Sequence, residues 1–102
     1  MDMRLVLVTH PSQEHAERIT RGVIDAGLAA CVLVTDVKSF YNWENQLNID
    51  DEVVTLLKTS TDKVEMLEKY IETNHDYDVP AIIMLQATAN ASYGNWLNDQ
   101  LS

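Results

Sequence analysis

Few residues in this chain have the chemistry of a catalytic or ligand-binding group: three histidines, one cysteine, and a lysine at the end of an apolar run. His10 and His15 stand at the start of the first helical segment, on different turns, and His75 lies beside Asp76 and Asp78. A metal site needs three or four converging ligands, and this spacing brings none together along the chain. The His75 stretch therefore reads as a solvated acidic loop. Its functional alternative is a weak contact with Cu2+ or another divalent cation through the His75 imidazole and a neighbouring carboxylate. Cys31 sits in the run Ala-Ala-Cys-Val, where cysteine behaves as a small hydrophobe. No base and orienting group accompany it in the pattern that nucleophilic catalysis requires. Lys58 ends an apolar strand-like run, where a cation wants a partner. Either its ammonium snorkels to solvent, or it meets an anionic ligand or a neighbour's carboxylate. Tyr41, Trp43, Tyr77, Tyr93 and Trp96 are amphipathic aromatics of the kind enriched at subunit interfaces. Phosphate-binding glycine loops, G-x-S-x-G, H-E-x-x-H and C-x-x-C are all absent. The expectation is a protein that is not an enzyme.

The elements that must position these residues follow from hydrophobic periodicity. Met3 to Thr9 is a short Leu/Val run that reads as a buried strand. Ser12 is a good N-cap; Ala16, Ile19, Val23 and Ala26 recur at helical spacing, and Gly27 stops the helix. That predicts a helix from Gln13 to Ala26. Ala29 to Ser39 is a second strand, continuing into Phe40-Tyr41-Asn42-Trp43. Turn chemistry at Asn45 and at Asn48 to Asp51 separates it from a third strand, Glu52 to Thr59, in an antiparallel hairpin. A second helix begins at Thr61-Asp62, capped by Thr61 or Ser60, with Val64, Leu67 and Ile71 as its apolar stripe, widened by Met66 and Tyr70. His75 to Val79 is a loop before Pro80, and Ala81 to Ala89 is the fourth strand. Asn90 caps a short last helix carrying Tyr93, Trp96, Leu97 and Leu101. The order β-α-β-β-α-β plus a short C-terminal helix is the split βαβ, ferredoxin-like pattern, an α+β fold in one domain spanning 1–102. Strands two to four are apolar over most of their length, so the sheet needs a second partner on its open face, and another subunit supplies one.

A formal charge of −9, from 16 acids against 7 bases, argues against nucleic acid, whose phosphates need a positive stripe. It argues equally against anionic membrane surfaces. No apolar run approaches the roughly 18 residues of a membrane span. A single cysteine excludes an intramolecular disulfide and suits a reducing compartment. The N-terminus lacks a signal-peptide pattern, so the expected location is cytoplasmic.

Six segments, taken in order, carry a family resemblance: LVLVTHPSQEHAERI, LAACV, SFYNWENQL, LLKT, HDYDVPAII and SYGNWL. Together they resemble the CutA divalent-cation tolerance proteins over nearly the full chain. The resemblance implies the ferredoxin-like fold already derived and a tight homotrimer built by strands pairing across subunits, with PII-like architecture. It implies a role in divalent metal ion tolerance, copper binding or PII-like signalling. Lys58, Tyr41, Trp43 and Trp96 are the candidates for a ligand-binding cleft between subunits, and His75 for a metal ligand. Members thought to hold copper use a cysteine in the first strand and histidines just before H-x-Y. Val8 and Asn74-His75 stand at those places, so only His75 carries over. Asp76 replaces a proline, Ala81 an acidic residue, Leu33 an asparagine, and Asn45 the glycine of a turn, where asparagine still adopts positive φ. Ala81 leaves Lys58 without its expected carboxylate. The metal site is therefore expected to be degenerate. The alternative function is a trimeric protein-interaction scaffold without metal, or a small-anion-binding regulator.

Overall fold

A computed structural model describes residues 1–102. Its elements are β1 (Asp2–His10), α1 (Gln13–Asp25), β2 (Cys31–Trp43), β3 (Gln46–Thr59), α2 (Val64–Asn74), β4 (Ile82–Thr88) and α3 (Ala91–Leu101). The strands form one antiparallel sheet in the order β2-β3-β1-β4. This is the ferredoxin-like α+β layout that the element order predicts.

Alternation along β1 sends Val6, Val8 and His10 into the interior. There the two valines join Ile19 and Val23 of α1, Leu57 of β3, and Leu67 and Ile71 of α2 in the main core. Ser12 caps α1 by accepting the His15 N–H at 3.1 Å, and Gly27 ends it at φ 70°. Helix α2 starts later than expected, at Val64, with Lys63 at the cap position and no side-chain cap bond. The Lys63 N–H is used by the Ser60 carbonyl at 3.2 Å, which closes a separate turn over the predicted helix start. Met66, expected on the packed stripe, is 56% exposed. Asn90 holds the N-cap position of α3, but its side chain bonds Ser92 Oγ and not a backbone amide.

The hairpin differs most from expectation. Its turn lies at Glu44-Asn45, both at positive φ, and β3 begins at Gln46 opposite Trp43. Two central residues at positive φ make the type of turn whose twist matches the flanking strands. Asn48, Asp50 and Asp51 are turn-forming types, yet they sit in the ladder. Cross-strand bonds hold the two aspartates there: Lys38 Nζ to Asp51 at 2.7 Å, and the Tyr41 hydroxyl to Asp50. Because β1 pairs with β3 only as far as Val53, the hairpin continues past the sheet as a two-stranded arm. At ~3.3 Å per residue, β2 alone runs about 40 Å, which accounts for the 47 Å long dimension.

Helices α1 and α2 cover one face of the sheet. On the other, α3 covers only one end, through Met3, Leu97 and Leu101. Beside it, strand register places Leu33, Leu56, Leu7 and Ile83 in a row across all four strands. Leu33 and Ile83, at the ends of that row, are 51% and 50% exposed.

Candidate metal centre

Three local rules bring the histidines together. His10 is the last residue of β1 and falls in the inward phase set by Val6 and Val8. His15 lies in the first turn of α1 on the buried stripe of Ala16, Ile19 and Val23. His75 follows α2, its N–H bonded to the Ile71 carbonyl at 2.9 Å. The rings pack at centroid distances of 5.0 Å (His10–His15), 5.4 Å (His10–His75) and 4.4 Å (His15–His75). All three are buried, at 0%, 4% and 8% exposure in chain order. The solvated-loop reading of His75 is therefore corrected, as is the separation of His10 from His15. The tertiary fold folds the loop back onto the junction between β1 and α1. One ligand nitrogen from each ring lies within 4.8 Å of the others.

Backbone donors dictate the tautomers. The Asp76 N–H donates to His15 Nε2 at 3.1 Å, so that nitrogen is bare and His15 carries its proton on Nδ1. Nδ1–H then donates to His10 Nδ1 at 2.9 Å, which puts the His10 proton on Nε2, donating to Thr55 Oγ1 at 2.8 Å. The Tyr77 N–H donates to His75 Nδ1 at 3.0 Å, and His75 Nε2–H donates to the Thr9 carbonyl at 2.8 Å. All six ring nitrogens are satisfied with every ring neutral. Burial first, then the neighbouring His15 and His75, lowers the His10 pKa to about 4. Burial likewise lowers that of His15, with Asp76 opposing. At the rim, Asp76 Oδ1 is 3.8 Å from His15 Nε2 and 3.0 Å from the Arg18 guanidinium. Beyond His75, the Tyr77 hydroxyl donates to Glu52 at 2.8 Å, and burial and that bond push its pKa up to about 12.

Buried neutral imidazoles suit copper and zinc. His10 and His75 already donate their far N–H groups to protein oxygens, as metal-bound histidines do. Their lone pairs are occupied, so an ion must displace hydrogen bonds. Three such bonds, each with a net worth of about 1 kcal/mol, are outweighed by the roughly 10–16 kcal/mol of a structural zinc site. The donor set fits a divalent ion.

The expected cleft residues fall at two separate places. Lys58 Nζ lies 3.3 Å from the Tyr93 hydroxyl and 5.1 Å over its ring, and Trp96 packs against Tyr93 at 5.5 Å. Tyr41 and Trp43 lie far from them, on the arm near the hairpin turn, with Trp43 65% exposed. Within one chain the four do not converge. Cys31 pairs with Lys58 across the sheet and is part-buried. Sequence reasoning missed His10 and His15 as partners of His75. The signal was available, since both occupy the inward phase of their own element.

Fold and site together define a small ferredoxin-like protein with a buried histidine centre and an uncovered sheet face. Residues 4–100 match the family described as CutA1 divalent ion tolerance protein, and the chain belongs to that family. It is 36% identical over 97% of the length of the divalent-cation tolerance protein CutA of Pyrococcus horikoshii, with 96% of this chain covered. It is 34% identical to the chloroplastic protein CutA of Arabidopsis thaliana, where 93% of this chain spans 53% of the relative. The chain thus spans about half the plant relative's length and nearly all of the archaeal one. The crystal structure of the divalent ion tolerance protein CutA1 from Ehrlichia chaffeensis superposes with a TM-score of 0.94 at 32% identity, covering 98% of this chain and 95% of that one. No helix is long and apolar enough to cross a membrane.

Proposed function

We propose that this chain takes part in divalent-cation tolerance by binding one Cu2+ or Zn2+ ion at His10, His15 and His75, as a cytoplasmic homotrimer. The convergence of three buried, neutral imidazoles carries the reading, and membership of a divalent ion tolerance family supports it. The trimer rests on the apolar row from Leu33 to Ile83, which one subunit leaves bare. A second subunit's arm, whose β2 part spans Val37 to Trp43 and about 23 Å, would bring its Tyr41 and Trp43 to Lys58 and Trp96.

Isothermal titration of chelator-treated protein with Cu2+, after light scattering has fixed its mass, tests both parts. The expected mass is three times 11.6 kDa, with one ion per chain and binding lost in His75→Ala. Circular dichroism of that variant separates loss of a ligand from loss of fold. Unsaturable heat from the native trimer would refute the metal reading.

A second reading, a small-anion-binding regulator of PII-like kind, is favoured by one observation: Lys58 forms no ion pair with a carboxylate in the chain. Titration with citrate, compared with Lys58→Met, decides it. Citrate binding that is lost in the variant supports it, and equal heats reject it.

A further inference from the structure

The hydrogen-bonded triad and an ion-holding triad need different protonation at one ring. His10 and His75 keep a bare Nδ1 and use Nε2–H to bond Thr55 and Thr9. His15 is reversed, with Nδ1–H turned toward His10 and bare Nε2 turned toward the Asp76 N–H. An ion shared by His10 and His15 is met on the edge where their Nδ1 atoms face each other at 2.9 Å. There His15 must present a lone pair, so Nδ1 gives its proton to solvent and Nε2 takes one up. No net proton is released. Nε2 is then a donor, and the Asp76 N–H facing it cannot accept. The nearest carboxylate acceptor is Asp76 Oδ1, 3.8 Å away on a side chain that is 67% exposed. The same oxygen bonds the Arg18 guanidinium at 3.0 Å, and a carboxylate oxygen has lone pairs for both donors.

We propose that Asp76 is a positioning residue for ion capture: its carboxylate accepts His15 Nε2–H and locks the ring in the tautomer that presents Nδ1 to the metal. A carboxylate behind a ligating histidine fixes ring orientation, and its loss typically weakens metal affinity 10–100-fold. This rests on the triad binding an ion at all, and the test keeps the two apart.

Zn2+ is the probe, because it is diamagnetic. Long-range ¹H–¹⁵N spectra of the histidine rings should show His15 protonated at Nδ1 in chelator-treated protein and at Nε2 after one equivalent of Zn2+. Binding heats should not depend on the ionisation enthalpy of the buffer. Asp76→Ala should weaken Zn2+ binding 10–100-fold with unchanged circular dichroism, and Asp76→Glu should restore most of it. Failure of the native protein to bind Zn2+ sinks the metal reading and this proposal together. Binding that is lost in His75→Ala but unchanged in Asp76→Ala sinks only this one. So does a His15 ring that keeps Nδ1–H when loaded.

Discussion

At the scale of the residue, His10 shows how burial and hydrogen bonding choose a charge state. Its neutral ring satisfies His15 and Thr55 at once, and a second proton would set one N–H donor against another. The folded pKa of about 4 lies below the unfolded value near 6.5, so the unfolded chain binds the extra proton. Stability is therefore full above pH 6.5 and falls as pH drops from 6.5 toward 4. The loss from this group is about 3 kcal/mol. Urea midpoints measured at pH 7 and pH 4.5 should differ accordingly, and much of the difference should vanish in His10→Asn. Equal acid sensitivity in that variant would place the effect elsewhere. Asp76 stands where the family resemblance leads one to expect proline, a residue with no N–H. Asp76→Pro should therefore free His15 Nε2 and move its ring ¹⁵N shift without unfolding the chain.

At the scale of the element, the hairpin turn holds two residues at positive φ, and the α1–α2 contact leaves no room for a side chain at Gly22. Glu44 and Asn45 both sit at positive φ, which glycine adopts freely and glutamate does not. Glu44→Gly should raise the melting temperature, by up to about 1 kcal/mol of stability. Asn45→Val should lower stability by about 1–3 kcal/mol, since a β-branched residue is a true outlier there. Opposite signs in calorimetry would reject this turn assignment. Gly22 is needed for a different reason: a Cβ there would collide with the Tyr70 hydroxyl. Gly22→Ala should cost about 1–3 kcal/mol, with recovery when Tyr70→Leu is added. Most elements were legible because each has its own period and stop, as in Ser12, Ile19, Val23 and Gly27 for α1. The hairpin turn was legible at Asn45, which sits at positive φ as expected, but the start of the strand after it was not. Asn48, Asp50 and Asp51 carry a stronger turn composition than Glu44-Asn45, and only their partners on β2 hold them extended.

At the scale of the whole molecule, the proposed trimer rests on an apolar row in a chain whose net charge is −9. Lysines at Leu33 and Ile83, both half-exposed, should leave the monomer folded and reduce the light-scattering mass from three chains to one. An unchanged mass would locate the interface off this face. The sequence by itself determined the element order, the main apolar stripe of α1 and of α2, and the family, because these depend on periodicity and on short ordered motifs. It singled out His75 as a candidate ligand but read its surroundings as a solvated loop, where the fold buries it. Only the tertiary structure decided that His10, His15 and His75 share one buried centre, that Asp76 guards its rim, and that Tyr41 and Trp43 lie on an arm away from Lys58. Those facts depend on strand order and on where β1 stops along β3. They are relations between distant segments, and no local spacing encodes them.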